Sequence, residues 1–357
     1  MATESISVQL TEHKKEKPNS NHLVFGTMFT DHMFSMDYIE GQGWINPRIE
    51  PYAPIQMDPS ATILHYGQTV FEGLKAYKTD DGEVQLFRPE RNFARLNNSN
   101  RRMCIPQIDE EFALKALKEL VSIEKDWVPT EEGTSLYIRP FIIATEPFLG
   151  VRPAKQYRFM IIMSPVGQYY DEGINPVSIA VENKYVRAVR GGTGEAKTAG
   201  NYAASLMAQE LVESKGVAQV LWLDGVEQKY IEEVGSMNVF FKIDGQVITP
   251  ELNGSILPGI TRQSTIELLK HWEEDFVERQ VSMEEIAEAA RKGLLEEAFG
   301  TGTAAVISPI GKLYWGDEEI IINNGETGPT AKRVYETITG IQYGRVDDPF
   351  DWTITVK

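Results

Sequence analysis

The chain has 357 residues, of which 42% are hydrophobic and 24% charged, with 35 lysines and arginines against 52 aspartates and glutamates. These are the proportions of an ordinary globular protein, and the length exceeds what one hydrophobic core usually fills, so two domains are expected. The formal charge of −17 opposes non-specific binding to nucleic acid, and no run of 18 apolar residues is present to span a membrane. A single cysteine, Cys104, excludes an intramolecular disulfide and a cysteine-rich zinc site; a buried structural thiol is the expectation for it. The 5 histidines show no metal-binding spacing, so no metal is expected.

Residues 1–20, MATESISVQLTEHKKEKPNS, lack both the apolar core of a secretory signal and the acid-poor character of a mitochondrial presequence. They predict a polar arm with freedom to move, and a cytoplasmic address. Helical spacing predicts helices over 89–102 and 110–124, the second opening after Asp109 as N-cap and burying Phe112, Leu114, Leu117, Leu120 and Val121. Residues 134–145 and 157–163, rich in β-branched and aromatic side chains, predict strands. The Pro- and Gly-rich stretch 164–176 predicts a linker, giving a domain over 1–168, a connection over 169–178 and a second domain over 179–357.

Beyond it, residues 177–182 and 220–223 read as strands, and 203–214 as a helix ended by Gly216. Residues 237–249 predict a hairpin about Asp244-Gly245. Ser282 and Glu285 form a capping box ahead of a helix expected to run through Glu297, with Gly300 just past its end. Strands and helices alternate without a regular βαβ rhythm, and no repeat is evident, so α+β domains are expected.

Lys197 lies in Gly-Gly-Thr-Gly-Glu-Ala-Lys-Thr-Ala-Gly-Asn-Tyr, residues 191–202, where small residues let a bulky group approach the backbone. A lysine held there can be desolvated and nucleophilic, although a solvated loop lysine has the same sequence appearance. The same stretch nearly spells G-x-x-x-x-G-K-[ST], which would make this an ATP-binding protein. Ala196 stands where that loop needs glycine, and the preceding segment is charged instead of continuously apolar.

Glu233 precedes a strongly apolar hairpin and is the carboxylate candidate; Glu232 beside it faces the opposite way on an extended segment. Leu257-Pro258-Gly259-Ile260-Thr261-Arg262 opens a helix expected over 263–271, and free amides at such a start attract anions. A small-residue turn at 300–305 offers further amides, and Arg88 in Leu-Phe-Arg-Pro offers positive charge.

Taken together, K-x-x-x-N-Y at 197–202, E-V-G-S-M-N at 233–238, L-P-G-I-T-R at 257–262 and F-G-T-G-T-A at 299–304 form an ordered set. H-Y-G-Q-T-V-F-E-G at 65–73, L-F-R-P at 86–89 and Y-I-R-P at 137–140 precede it. Over roughly residues 25–345 the chain resembles the branched-chain amino acid aminotransferases of fold type IV, which use pyridoxal 5′-phosphate. That resemblance implies a small α/β domain and a larger pseudo-barrel domain, and a homodimer. It implies amino transfer between L-leucine, L-isoleucine or L-valine and 2-oxoglutarate.

By the same resemblance, Lys197 is the lysine that carries the cofactor and moves the proton. Glu233 meets the pyridine nitrogen and Tyr202 the ring oxygen. Arg88, Leu257, Ile260, Thr261 and Thr303 belong to the cofactor and phosphate site, with Ser236 and Ala304 near the cofactor and the substrate carboxylate. Phe71, Tyr66, Tyr137, Val151 and Tyr169 line the side-chain pocket, and Arg139 places the second carboxylate of glutamate. A D-amino acid aminotransferase or an aminodeoxychorismate lyase of the same fold is the alternative. Ala305 and Ser308 stand where some animal members carry a redox cysteine pair, so thiol regulation is not expected.

Overall fold

The computed structural model describes residues 5–19, 23–167 and 174–357. The chain divides into two compact units, each taken here by itself: Met1–Gln168 with Ala196–Ala199 and Gly340–Lys357, and Tyr169–Glu195 with Gly200–Thr339. Among the described residues no helix is long and apolar enough to cross a membrane.

Strands and helices are numbered along the chain. The first unit is built on a 9-stranded sheet. Its strands are β1 (Ser7–Val8), β2 (His32–Ile39), β3 (Gly43–Pro51), β4 (Thr69–Phe71), β5 (Leu74–Lys78), β6 (Val84–Phe87), β7 (Ser135–Ala144), β8 (Gln156–Val166) and β18 (Thr353–Val356). The order is β1-β3-β2-β8-β7-β5-β6-β18, with β4 also paired to β7. Helix α1 (Thr62–Tyr66) is short; helices α2 (Pro89–Arg102) and α3 (Glu110–Ile123) pack on each other, and α3 also packs on β2 and β18. The α3 cap is as predicted: Asp109 accepts from the Phe112 N–H at 3.0 Å. Phe34, Leu86, Phe93, Leu96, Leu117 and Phe159 anchor the core.

Three expectations for this unit change. Strand β8 runs on through Ser164 and Pro165 to Val166, because these residues pair with Tyr137, Leu136 and Ser135 of β7, so the first residues of the Pro- and Gly-rich stretch belong to the sheet. The amino-terminal arm is pinned where it is described: the Thr11 N–H donates to His32 Nε2 at 2.8 Å and the Lys15 N–H to Asp31 Oδ1 at 2.8 Å. His32 is itself held by Glu124 and Asp31 by Trp127, both buried, so a polar arm finds polar partners in the unit's interior. Cys104 is exposed, at φ 55°, just past the end of α2.

In the second unit six strands close on themselves: β9 (Val177–Val181), β10 (Gln219–Leu223), β11 (Ile231–Val234), β12 (Met237–Ile243), β15 (Leu295–Gly302) and β16 (Val306–Trp315). They pair in the order β11-β10-β9-β16-β15-β12, and a further pairing of β11 with β12 completes the ring. Closure leaves no open edge in that ring. This is the barrel expected of the larger, α+β domain. Strands β13 (Gln246–Thr249), β14 (Phe276–Glu278) and β17 (Glu318–Ile321) extend it. The predicted hairpin is β12–β13, and Asp244 and Gly245 take the positive φ values, 48° and 80°, that its turn requires.

Helix α4 (Ala199–Glu213) begins four residues before the expected start. Gly200 and Asn201 are poor helix formers. Asn201 is fixed from outside: its Nδ2 donates to Thr193 O at 2.8 Å, and Thr193 Oγ1 donates to its Oδ1 at 2.7 Å. Helix α6 (Met283–Arg291) starts at its Ser282 cap as predicted but stops well short of Glu297. Gly293, at φ 71°, ends it, and the residues expected to finish the helix are β15, paired with β12. Glu285 does not close the capping box; its carboxylate binds Arg279 at 2.5 and 3.0 Å.

Candidate active site

Lys197 is held through its backbone. Val70 bridges Thr198, the Phe71 N–H donates to Lys197 O at 3.0 Å, Thr198 Oγ1 donates to Thr69 O at 2.6 Å, and the Lys197 N–H donates to Ser99 Oγ at 2.9 Å. These attachments fix the main chain while the amine projects beyond it. Its Nζ lies 4.8 Å from the centre of the Phe71 ring, and Arg139 Cζ lies 4.7 Å from the same ring. Arg139 in turn donates to Tyr137 Oη at 2.8 Å. Period-2 alternation along β7 puts Tyr137 and Arg139 on one face, and Lys75 of β5 is the cross-strand neighbour of Tyr137. Gly73 is needed beside them, since a Cβ there would sit 2.2 Å from Tyr137 Oη. Four predicted residues, Lys197, Phe71, Tyr137 and Arg139, therefore meet.

Tyr66 and Val151 do not join this cluster. Tyr66 is exposed, with its hydroxyl bonded to Leu149 O, and Val151 is 84% exposed. Tyr169 lies outside the described residues. Arg88 sits in the same unit between β6 and α2. Its φ of 49° puts it in the left-handed region, as the helix N-cap ahead of Pro89.

In the second unit both acidic neighbours are buried and face opposite ways, each with its own partners. Glu232 binds Ser255, with Asn253 at 3.4 Å. Glu233 Oε1 accepts from the Leu257 N–H at 2.7 Å and lies 3.2 Å from Arg187 Nη2. Arg187 also donates to Gly194 O at 3.2 Å and to Ser255 O, so it is buried and anchored. The sequence reading missed Arg187: it belongs to an alternating, charged stretch that looks like a solvated strand. Glu233, Arg187, Asn201, Tyr202, Ser236 and Trp222 line a cavity of about 250 Å³.

Close by in sequence, helix α5 (Ile260–His271) starts three residues earlier than expected, so Ile260 and Thr261 form its first turn. Both are buried, and no side chain caps this terminus. Buried first-turn N–H groups call for a partner, and the helix dipole favours an anionic one. Gly259 is fixed here because a Cβ would fall 2.0 Å from Asn238 Oδ1, while Asn238 Nδ2 holds Leu257 O at 2.9 Å. The predicted turn at 300–305 is shorter: residues through Gly302 belong to β15, and Thr303, Ala304 and Ala305 turn into β16. Residues 190–195 form turns with no strand leading into them, and Ala196 is buried, so the nucleotide-loop alternative lacks its strand-to-helix geometry.

A lysine beside an aromatic ring in the first unit, and in the second a cavity-lining carboxylate held by arginine and a buried, uncapped helix start, are groups suited to binding a small anionic molecule. The model of the class IV amino-transferases matches residues 69–313, and the chain belongs to that family. Branched-chain-amino-acid aminotransferase 2 of Bacillus subtilis (strain 168) is 65% identical over 356 residues, covering 100% of this chain and 98% of that protein. Branched-chain-amino-acid transaminase 1 of the same organism is 57% identical over 352 residues, covering 98% and 99%. Among solved structures, the Escherichia coli branched-chain amino acid aminotransferase superposes with a TM-score of 0.76 at 26% identity, covering 92% of this chain and 99% of that one. The T.th. branched-chain amino acid aminotransferase with pyridoxamine 5′-phosphate gives 0.73 at 26% identity, covering 90% and 98%.

Proposed function

We propose that this chain is a branched-chain-amino-acid aminotransferase that exchanges an amino group between L-leucine, L-isoleucine or L-valine and 2-oxoglutarate, with pyridoxal 5′-phosphate on Lys197. The observation that carries the cofactor reading is Glu233, buried, held through Oε1 by Arg187 and the Leu257 amide, and lining the cavity that Tyr202 and Ser236 also line. The uncapped, buried start of α5 fits a phosphate on independent grounds.

When bound, the cofactor supplies an electron sink for the carbanion formed at the substrate Cα. The residues do the rest. Lys197 Nζ would take the proton from the substrate Cα and pass it to C4′ of the cofactor. Glu233 keeps the ring nitrogen protonated, and Tyr202 donates to the ring oxygen. Arg88, Leu257, Ile260, Thr261 and Thr303 hold the phosphate end, the middle three through the α5 terminus and the loop before it. Ser236 and Ala304 face the substrate carboxylate. Phe71 and Tyr137 wall the side chain away from water, where aliphatic groups are favoured by about 25 cal/mol per Å² of apolar surface. Arg139 receives the second carboxylate of glutamate.

In this reading the enzyme is a cytoplasmic homodimer. Leu206, Met207 and Leu211, exposed together on α4, support a second copy as their cover. The test of the function is the visible spectrum of the purified protein. An absorbance band that borohydride removes, with the label mapped to Lys197, and that changes on adding L-leucine, is the expected result. A colourless protein, a label elsewhere, or activity on D-alanine with none on L-leucine overturns it.

A further inference from the structure

The carboxy-terminal segment reaches Arg88 from a part of the chain that none of the motifs touches. Strand β18 pairs with β6, from Thr353↔Phe87 to Val356↔Val84, which brings Trp352 level with Arg88. The Arg88 N–H donates to Trp352 O at 2.7 Å, and Arg88 Cζ lies 5.0 Å from the centre of the Trp352 ring. Both residues are almost completely buried, Arg88 at 2% and Trp352 at 3% exposure. The indole is fixed by other rings: Phe350 stacks on it at 4.3 Å and Phe87 meets it edge-on at 5.6 Å. The turn that delivers it is tied by Asp348, whose carboxylate accepts from the Phe350 N–H at 3.2 Å, the Thr353 N–H at 2.8 Å and Thr353 Oγ1 at 3.0 Å.

Arg88 needs such support. A non-glycine residue at φ 49° is disfavoured unless its surroundings hold it there. A long guanidinium side chain also loses most of its binding value if it must be ordered by the ligand. The aromatic face constrains the guanidinium plane, and the carbonyl constrains the backbone.

We infer that Trp352 is a positioning residue that pre-orients Arg88 for the phosphate of the cofactor, so that the carboxy-terminal strand is part of the phosphate site without touching the ligand. This rests on the reading of Arg88 as a phosphate residue. The test compares affinities of the full-length protein, freed of cofactor, for pyridoxal 5′-phosphate and for pyridoxal, which lacks the phosphate. Trp352→Ala is expected to weaken pyridoxal phosphate binding about tenfold and pyridoxal binding less than about twofold. Trp352→Phe, which keeps an aromatic face, restores most of the difference. Trp352→Leu keeps apolar volume without that face and serves the same comparison if the alanine variant does not fold.

Equal weakening of both ligands, or no change in either, overturns the inference, as does a leucine variant that discriminates as the wild type does. Arg88→Ala separates the two levels. If it too leaves the ratio of the affinities unchanged, the assignment of Arg88 itself fails; if it collapses the ratio while the Trp352 variants do not, only the positioning role fails.

Discussion

Among the described residues each unit buries one arginine–glutamate pair, and the two differ in how the carboxylate is used. In the first unit Glu72 is saturated. Arg95 grips it with Nε on Oε1 and Nη2 on Oε2, both at 2.8 Å, and Asn92 and the Gly73 N–H add to Oε2 at 2.8 and 3.3 Å. In the second unit Arg187 and the Leu257 amide both fall on Oε1 of Glu233, and the residue lines a cavity. A buried charge with donors on both oxygens ties elements together. One that also lines a cavity is placed to meet a ligand.

The comparison breaks most visibly at Lys197, which shares a unit with the saturated pair. Lys197→Ala is expected to lower the turnover of leucine by at least about 10⁴-fold, because the proton-transfer group and the attachment point go together. Its melting temperature should stay close to wild type, since it is backbone groups that bind the residue to Ser99 and Phe71. Glu72→Ala should do the converse. Leaving Arg95 buried and unanswered costs about 3–5 kcal/mol, read as a fall in the urea midpoint of the cofactor-free protein.

Glu233→Gln sharpens the contrast further. It keeps the shape and an acceptor for Leu257, so the fold should persist while turnover falls about 10²–10³-fold. A loss of stability as large as that of Glu72→Ala would erase the distinction between the two pairs. The smallest effect concerns a third buried charge, Lys75. Burial holds its pKa down to about 8, from an ordinary value of 10.5. Between these values the unfolded chain binds more protons than the folded one, so stability should rise with pH across that window and fall again as the pH is lowered toward 8. The total is on the order of a few kcal/mol. In Lys75→Met, urea unfolding at the two ends of the window should show that slope reduced.

Much of this was legible in the residues. Caps and turn chemistry are local, so Asp109, Ser282 and Asp244-Gly245 announced their elements correctly. The motif order also singled out Lys197, Glu233 and the segment 257–262, although α5 begins three residues before its expected start. What the residues hid was settled at a distance. The beginning of α4 depends on Asn201 reaching Thr193, and β15 exists because β12 and β16 pair with it, overriding the helical reading of 283–297. Arg187 and Trp352 carry no local signal of their roles, since the partners that define them are 46 and 264 positions away: Glu233 and Arg88.

The path of the main chain has a practical corollary. Residues 196–199 are counted with the first unit, although the chain on either side of them, 169–195 and 200–339, builds the second. No single cut in the gene can therefore yield two continuous pieces that each contain a whole unit. A severed version made at the junction near residue 168 would send the reactive amine away with the barrel half and leave Thr69, Val70 and Phe71 behind. Activity from such halves would have to come from reassembly of both together.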